Sequence, residues 1–218
     1  MKYIKQIFSL ILFAVLMILI ISSCSDDNDS SNSDNDNLIL ELGNIEVGNI
    51  IKFAEYDWRI LDIQDDRILI ITEEIIDIRD YHNETGDITW AECSLRTYLN
   101  GEYYNNFNES EKERIIQVTN INQYETREAQ DTQDYIFLLS IDEVNSYFKD
   151  DSARIANYQG EDKGWWLRSP CELGWFASYV LEDGVIMTNG TTAYYSSREN
   201  GYADDNKGIR PAMWLTIE

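Results

Sequence analysis

The chain is poor in the residues from which common catalytic and metal sites are built. Its 218 residues include one histidine, His82, and three cysteines, Cys24, Cys93 and Cys171. A structural zinc site usually takes four Cys and His ligands at close spacing, and no such set is present. A Ser-His-Asp triad would have to use His82. That residue sits in a polar loop, Tyr81-His82-Asn83-Glu84, and no Gly-x-Ser-x-Gly elbow occurs, so it reads as a surface histidine. Positive charge is also scarce: 17 Lys and Arg stand against 40 Asp and Glu, a net charge of −23. A field of that sign repels phosphates, and there is no basic stripe, which excludes nucleic acid as a partner. Proline occurs twice, at Pro170 and Pro211.

There is one long apolar run, Ile7 to Ile21, interrupted only by Ser9 and preceded by Lys2 and Lys5. It has the length of a signal-peptide apolar region and falls short of the roughly 20 residues a spanning helix needs. It ends in Ile21-Ser22-Ser23-Cys24, which resembles the bacterial lipobox. That resemblance implies cleavage after residue 23 and acylation of Cys24. The chain is then exported and held to a bacterial membrane by lipid, facing the surface or the periplasm. Residues 25–37 contain no apolar residue and five aspartates, the composition of a disordered acidic tether. Such a tract just after a lipidated cysteine also resembles the surface-export signal of some Gram-negative lipoproteins. The tract lacks the calcium-loop pattern of acids, glycine and distal glutamate.

Residues 38–218 form one domain by length, with 35 acids and a net charge of −20 once the tether is excluded. The pattern predicts an α+β domain with N- and C-terminal strands, central helices and a mixed or antiparallel sheet. Ile50–Phe53, Asp57–Ile63 and Arg67–Thr72 read as strands, the last two joined by a tight Asp65-Asp66 turn. The first of this pair places Trp58, Ile60 and Asp62 on one face and Arg59, Leu61 and Ile63 on the other. Helix starts are signalled at Thr89, Asn108 and Ser140, each followed three residues later by Glu. Tyr135–Leu139 is an apolar run of strand length. Strands are also predicted at Gly164–Arg168, at Ala177–Leu181 with Val185–Thr188 across a Glu182-Asp183-Gly184 turn, and at Gly208–Leu215. Residues 189–207 read as a long polar loop.

Several ordered motifs carry a family resemblance. They are Tyr56-Asp57-Trp58-Arg59-Ile60-Leu61, Thr89-Trp90, Cys93 through Gly101, Ile136-Phe137-Leu138-Leu139-Ser140, Trp165 through Pro170, and Gly208-Ile209-Arg210-Pro211-Ala212. Together they resemble DUF6273, a bacterial domain family of unknown function, across residues 45–218. Its members commonly sit on exported proteins, so the resemblance implies location and fold more than activity. The closing pattern is also similar to C-type-lectin-like folds, including relatives of the formylglycine-generating enzyme, which end in Gly-Phe-Arg; Ile209 stands where that pattern has Phe. The calcium-sugar triplet of lectins is absent, so calcium-dependent sugar binding does not carry over.

The candidate site residues each have a functional and a structural reading. Arg168 and Arg210 can grip an anionic ligand with a planar fork, or lock strand ends by pairing with an acid. The structural role is favoured for both. Trp175, Tyr194 and Tyr195 neighbour the late loop and suit stacking on a sugar or peptide. For Trp165 and Trp166 a core position is expected of at least one. Glu182, Asp183, Asp204, Asp205 and Asn206 are oxygen donors that would hold calcium if their two loops converged, and are otherwise solvated turns. Cys93 and Cys171 form one disulfide or stand as two separate buried thiols. The expected function is a non-enzymatic binding module for a glycan or protein ligand, working through residues 182–184 and 189–207. The rivals are a carboxylate-dependent envelope enzyme such as a glycan hydrolase, and a structural surface component.

Overall fold

The computed structural model describes residues 45–84, 86–123, 129–171, 174, 176–192 and 206–217, all within one compact unit, Leu40–Glu218. In chain order the strands are β1 (Ile50–Phe53), β2 (Tyr56–Gln64), β3 (Arg67–Thr72), β4 (Asp77–Arg79), β5 (Ile115–Ile116), β6 (Val118–Asn120), β7 (Thr132–Asp134), β8 (Asn157–Tyr158), β9 (Glu161–Asp162), β10 (Trp165–Pro170), β11 (Phe176–Val180), β12 (Ile186–Thr192), β13 (Lys207–Ile209) and β14 (Ala212–Thr216). Among the described residues, four short α-helices lie between them: α1 (Ser94–Tyr98), α2 (Glu109–Lys112), α3 (Ile141–Tyr147) and α4 (Asp151–Arg154). The domain is α+β, as its sequence pattern predicts. One five-stranded sheet has the order β1-β2-β3-β14-β5 and is antiparallel throughout. The other has the order β12-β11-β10-β13-β4, with one parallel pair, β10 and β13.

The β2–β3 hairpin forms where predicted, but its faces differ. A bulge between Ile60 and Asp62 adds a residue to one strand. The alternation slips by one, which brings Ile63 onto the face of Trp58 and Ile60; Trp58, Ile60 and Leu61 are all buried, while Ile63 is 37% exposed near the strand end. Strand β3 is buried along Ile68–Thr72, the continuous apolar pattern of a strand covered on both faces. Trp165 and Trp166 are both fully buried, alongside Trp58 and Trp90.

The predicted strand Gly208–Leu215 is broken into β13 and β14, which lie in different sheets. Pro211 has no N–H and cannot extend a ladder. The break coincides with a second crossing, because β3 pairs with β14 in one sheet while β4 pairs with β13 in the other. Two neighbouring segments thus pass between sheets together. Arg210 fastens the crossing: Nε and one terminal nitrogen donate to Thr72 O at 3.1 and 2.9 Å, and the same nitrogen donates to Glu73 O at 3.0 Å.

The central helices are shorter than predicted. Asn108 and Ser140 do form capping boxes with Glu111 and Glu143. Thr89 does not begin a helix; it closes a turn onto Glu92 N and Cys93 N, and Cys93 caps α1 through a bond from Arg96 N to Sγ. The apolar run Tyr135–Leu139 is not a strand either. It makes one bridge, Phe137 to Ala212, and Asn100 replaces the missing ladder. Its amide donates to Ile136 O at 2.7 Å and accepts from Tyr135 N and Ile136 N.

Candidate functional site

Among the described residues, those nominated from sequence are not gathered in one place. Arg168 is 3% exposed and makes a bidentate pair with Glu143, with further bonds to Leu138 O and Asn122 Oδ1. Arg210 lies against the Trp165 ring at 4.9 Å. Burial of its guanidinium pulls its pKa down to about 10. Both forks therefore face the protein interior. Trp175, Tyr194, Tyr195, Asp204 and Asp205 lie outside the described residues. Glu182 and Asp183 are exposed in the β11–β12 turn. Glu182 and Asn206 line one cleft of about 520 Å³, together with Lys163 and Lys207. Among the described residues, no group of three His, Cys, Asp or Glu side chains is placed to hold a metal ion.

Cys93 and Cys171 are not joined; each is a separate buried thiol. The Cys171 sulfur lies 3.1 Å from Ser178 Oγ. His82 is partly buried rather than a loose surface residue, and its Nδ1 accepts from Ser94 N, which ties its loop to the start of α1.

A different set of residues does converge. The β1–β2 turn, the segment leading into β4, and the stretch from α1 to α2 enclose a cleft of about 630 Å³. Its aromatic lining is Tyr56, Tyr98, Tyr103 and Phe107, and its carboxylates are Glu55, Asp77 and Glu111. Local backbone geometry brings the rings together. After α1 the chain makes one π turn, Leu99–Tyr103. A π turn closes i to i+5 hydrogen bonds, so residues five apart approach one face. Tyr98 and Tyr103 are such a pair, with ring centroids 6.2 Å apart. Tyr56 lies 6.4 Å from Tyr103, and Phe107 meets it edge-on at 5.6 Å.

Tyr103 forms the floor. It is 4% exposed, and its hydroxyl is buried without a hydrogen-bond partner among the described residues. Burial, then the nearby Tyr56 and Tyr98 hydroxyls and Glu55, push its pKa well up. Tyr56 and Tyr98 are shifted the same way, burial again being the largest cause. All three are therefore neutral phenols at ordinary pH. Asp77 pairs with Arg79 at 2.7 Å, and Arg79 stacks 3.8 Å over the Tyr98 ring. Glu111 accepts from Asn108 N in its capping box. Glu55 is exposed and has no ion pair or hydrogen bond among the described residues.

A model of a protein family matches residues 65–217, and its description is a domain of unknown function, DUF6273. The chain belongs to the DUF6273 family. No curated protein and no solved structure matches it. The C-type-lectin-like resemblance thus finds no support in known structures. Within this DUF6273 domain most of the motif residues are internal pins: Arg96 on Asp134, Asn100 on the 135–136 backbone, Arg168 on Glu143, Arg210 at the sheet crossing. Tyr56 and Tyr98 are the motif tyrosines that line the cleft.

The mouth of this cleft holds backbone strain. Ala54, in the β1–β2 turn, has φ +51°, a region that suits glycine. Ala54→Gly is expected to stabilise the domain by about 1 kcal/mol, raising Tm by roughly 2–4 °C. An unchanged or lower Tm by calorimetry contradicts this.

Proposed function

We propose that this DUF6273 domain is a non-enzymatic ligand-binding module, displayed on a bacterial envelope by lipid on Cys24 and an acidic tether. The observation that carries the binding role is the buried, unpartnered Tyr103 hydroxyl in an aromatic cleft. An unsatisfied buried hydroxyl costs about 1–3 kcal/mol, so a group left in that state points to a missing partner. The cleft volume falls in the range of small-ligand sites, roughly 300–1,000 Å³. Two of its three carboxylates are already committed, Asp77 to Arg79 and Glu111 to its capping box, which favours binding over acid–base chemistry. The late-loop face read from the sequence, residues 189–207, lies mostly outside the described residues.

Tyr103→Phe removes the costly hydroxyl and keeps the ring. Without ligand the variant is expected to be at least as stable as the native chain; a loss above about 1 kcal/mol in urea unfolding would show that the hydroxyl already has a partner. The function is tested by probing glycan and peptide arrays with the full chain and with Tyr98→Ala. Ligands that bind the native chain and not the variant are expected, with the circular dichroism spectrum unchanged. Arrays on which nothing depends on Tyr98 remove the binding role. Mass spectrometry of the mature N-terminus tests the anchor, and retention of Met1 or an unmodified Cys24 removes that part.

A further inference from the structure

The ligand's chemistry can be narrowed, on the reading that this cleft is a binding site. We propose that it takes a primary alkylammonium group, such as one end of an aliphatic diamine. The lining holds three carboxylates and neither lysine nor arginine. Aromatic faces attract cations through the ring quadrupole. Here the Tyr98 ring already carries one, the Arg79 guanidinium at 3.8 Å. The surrounding domain, at a net charge of −20, raises the local concentration of small cations.

The floor separates kinds of cation. A hydroxyl oxygen accepts hydrogen bonds, and Tyr103 Oη has no donor among the described residues. An ammonium with N–H groups supplies one, and a quaternary ammonium does not. Glu55, exposed at the cleft edge, supplies the counter-charge. Tyr56 and Tyr98 are partly exposed, so the proposed route to the floor runs between these two rings.

The test is isothermal titration of the full chain in detergent with 1,5-diaminopentane. The diol of equal length and the bis-trimethylammonium analogue serve as controls. The diamine is expected to bind, with the diol and the quaternary analogue each weaker by about tenfold. Tyr103→Phe should weaken the diamine by a similar factor, leave the quaternary analogue unchanged, and leave Tm unchanged or higher. A diol or quaternary compound that binds as well as the diamine overturns the inference, as does a diamine that ignores Tyr103→Phe or fails to bind. A single-lysine peptide competing for the site distinguishes a lysyl source from a free amine. If the diamine fails while an array ligand binds in a Tyr98-dependent way, the ammonium inference falls and the binding module stands. If no ligand depends on Tyr98, both fall.

Discussion

Asp134→Ala is expected to destabilise the domain by about 3–5 kcal/mol, the usual cost of breaking a buried ion pair from one side. Asp134 is fully buried and its two oxygens serve four donors. Oδ1 accepts from Arg96 Nε at 2.6 Å. Oδ2 accepts from Trp90 Nε1 at 3.0 Å, Asn120 Nδ2 at 2.8 Å and Thr132 Oγ1 at 2.6 Å. Alanine strands all four, and Trp90 is itself fully buried with no route to water. Asn does not rescue the site. Its amide nitrogen must face either Arg96 or the three donors at Oδ2, setting donor against donor. Asp134→Asn should therefore lose nearly as much. In urea unfolding at neutral pH, a loss below about 1 kcal/mol for Asp134→Ala means that water or rearrangement satisfies these donors. The change also bears on the cleft. Arg96 sits in the helix that ends at Tyr98, so loosening Asp134 loosens the entry to the π turn that gathers the rings.

The predicted hairpins and caps rest on local chemistry and were legible in sequence. Asp65-Asp66 between two β-branched runs, and Asn108 and Ser140 three residues before Glu, each contain their own cause. Features that depend on a partner distant in sequence were not legible. The Ile60–Asp62 bulge is invisible to an alternation rule. The Tyr135–Leu139 run is kept from being a strand by the side chain of Asn100, 35 residues before it. Gly208–Leu215 reads as one strand until Arg210 is seen to fasten the Thr72 and Glu73 carbonyls. The cleft was missed for the same kind of reason. An α-helical period places Tyr98 and Tyr103 on different faces, and only the π turn brings them together. The one signal available was crowding: Tyr98, Tyr103, Tyr104 and Phe107 fall within ten residues of one another. The arginines read as ligand forks or, preferably, as locks within an acidic domain; Arg168 pairs with Glu143, and Arg210 bonds the Thr72 and Glu73 carbonyls.

Stability is expected to fall on raising the pH from 9 to 12. Cys93 should account for about 4 kcal/mol of that loss, at about 1.4 kcal/mol for each pH unit separating its folded and unfolded ionisation. Burial lifts the Cys93 thiol from 9.0 to about 12. The unfolded chain releases this proton above pH 9, while the folded chain holds it until about 12. The contribution is thus fully present below pH 9 and drains away between the two values. Tyr81 and Tyr103, both raised by burial, add losses of the same sign, but these begin only near 10. Arg210 acts the other way. Its folded value is lowered to about 10 against 12.5 unfolded, so it returns stability as pH climbs through that interval. The interval from pH 9 to 10 therefore isolates the thiol. Cys93→Ser is the matching control, because serine is a preferred N-cap and does not ionise in this range. Its hydroxyl can keep both bonds of the sulfur, from Arg96 N and to Trp90 O. Native chain and Cys93→Ser, unfolded in urea at each pH, should differ by a curve that falls by about 1 kcal/mol between pH 9 and 10. Parallel curves would mean that the thiol reaches solvent in the folded state, and that the wall it shares with Tyr81 and Trp90 opens.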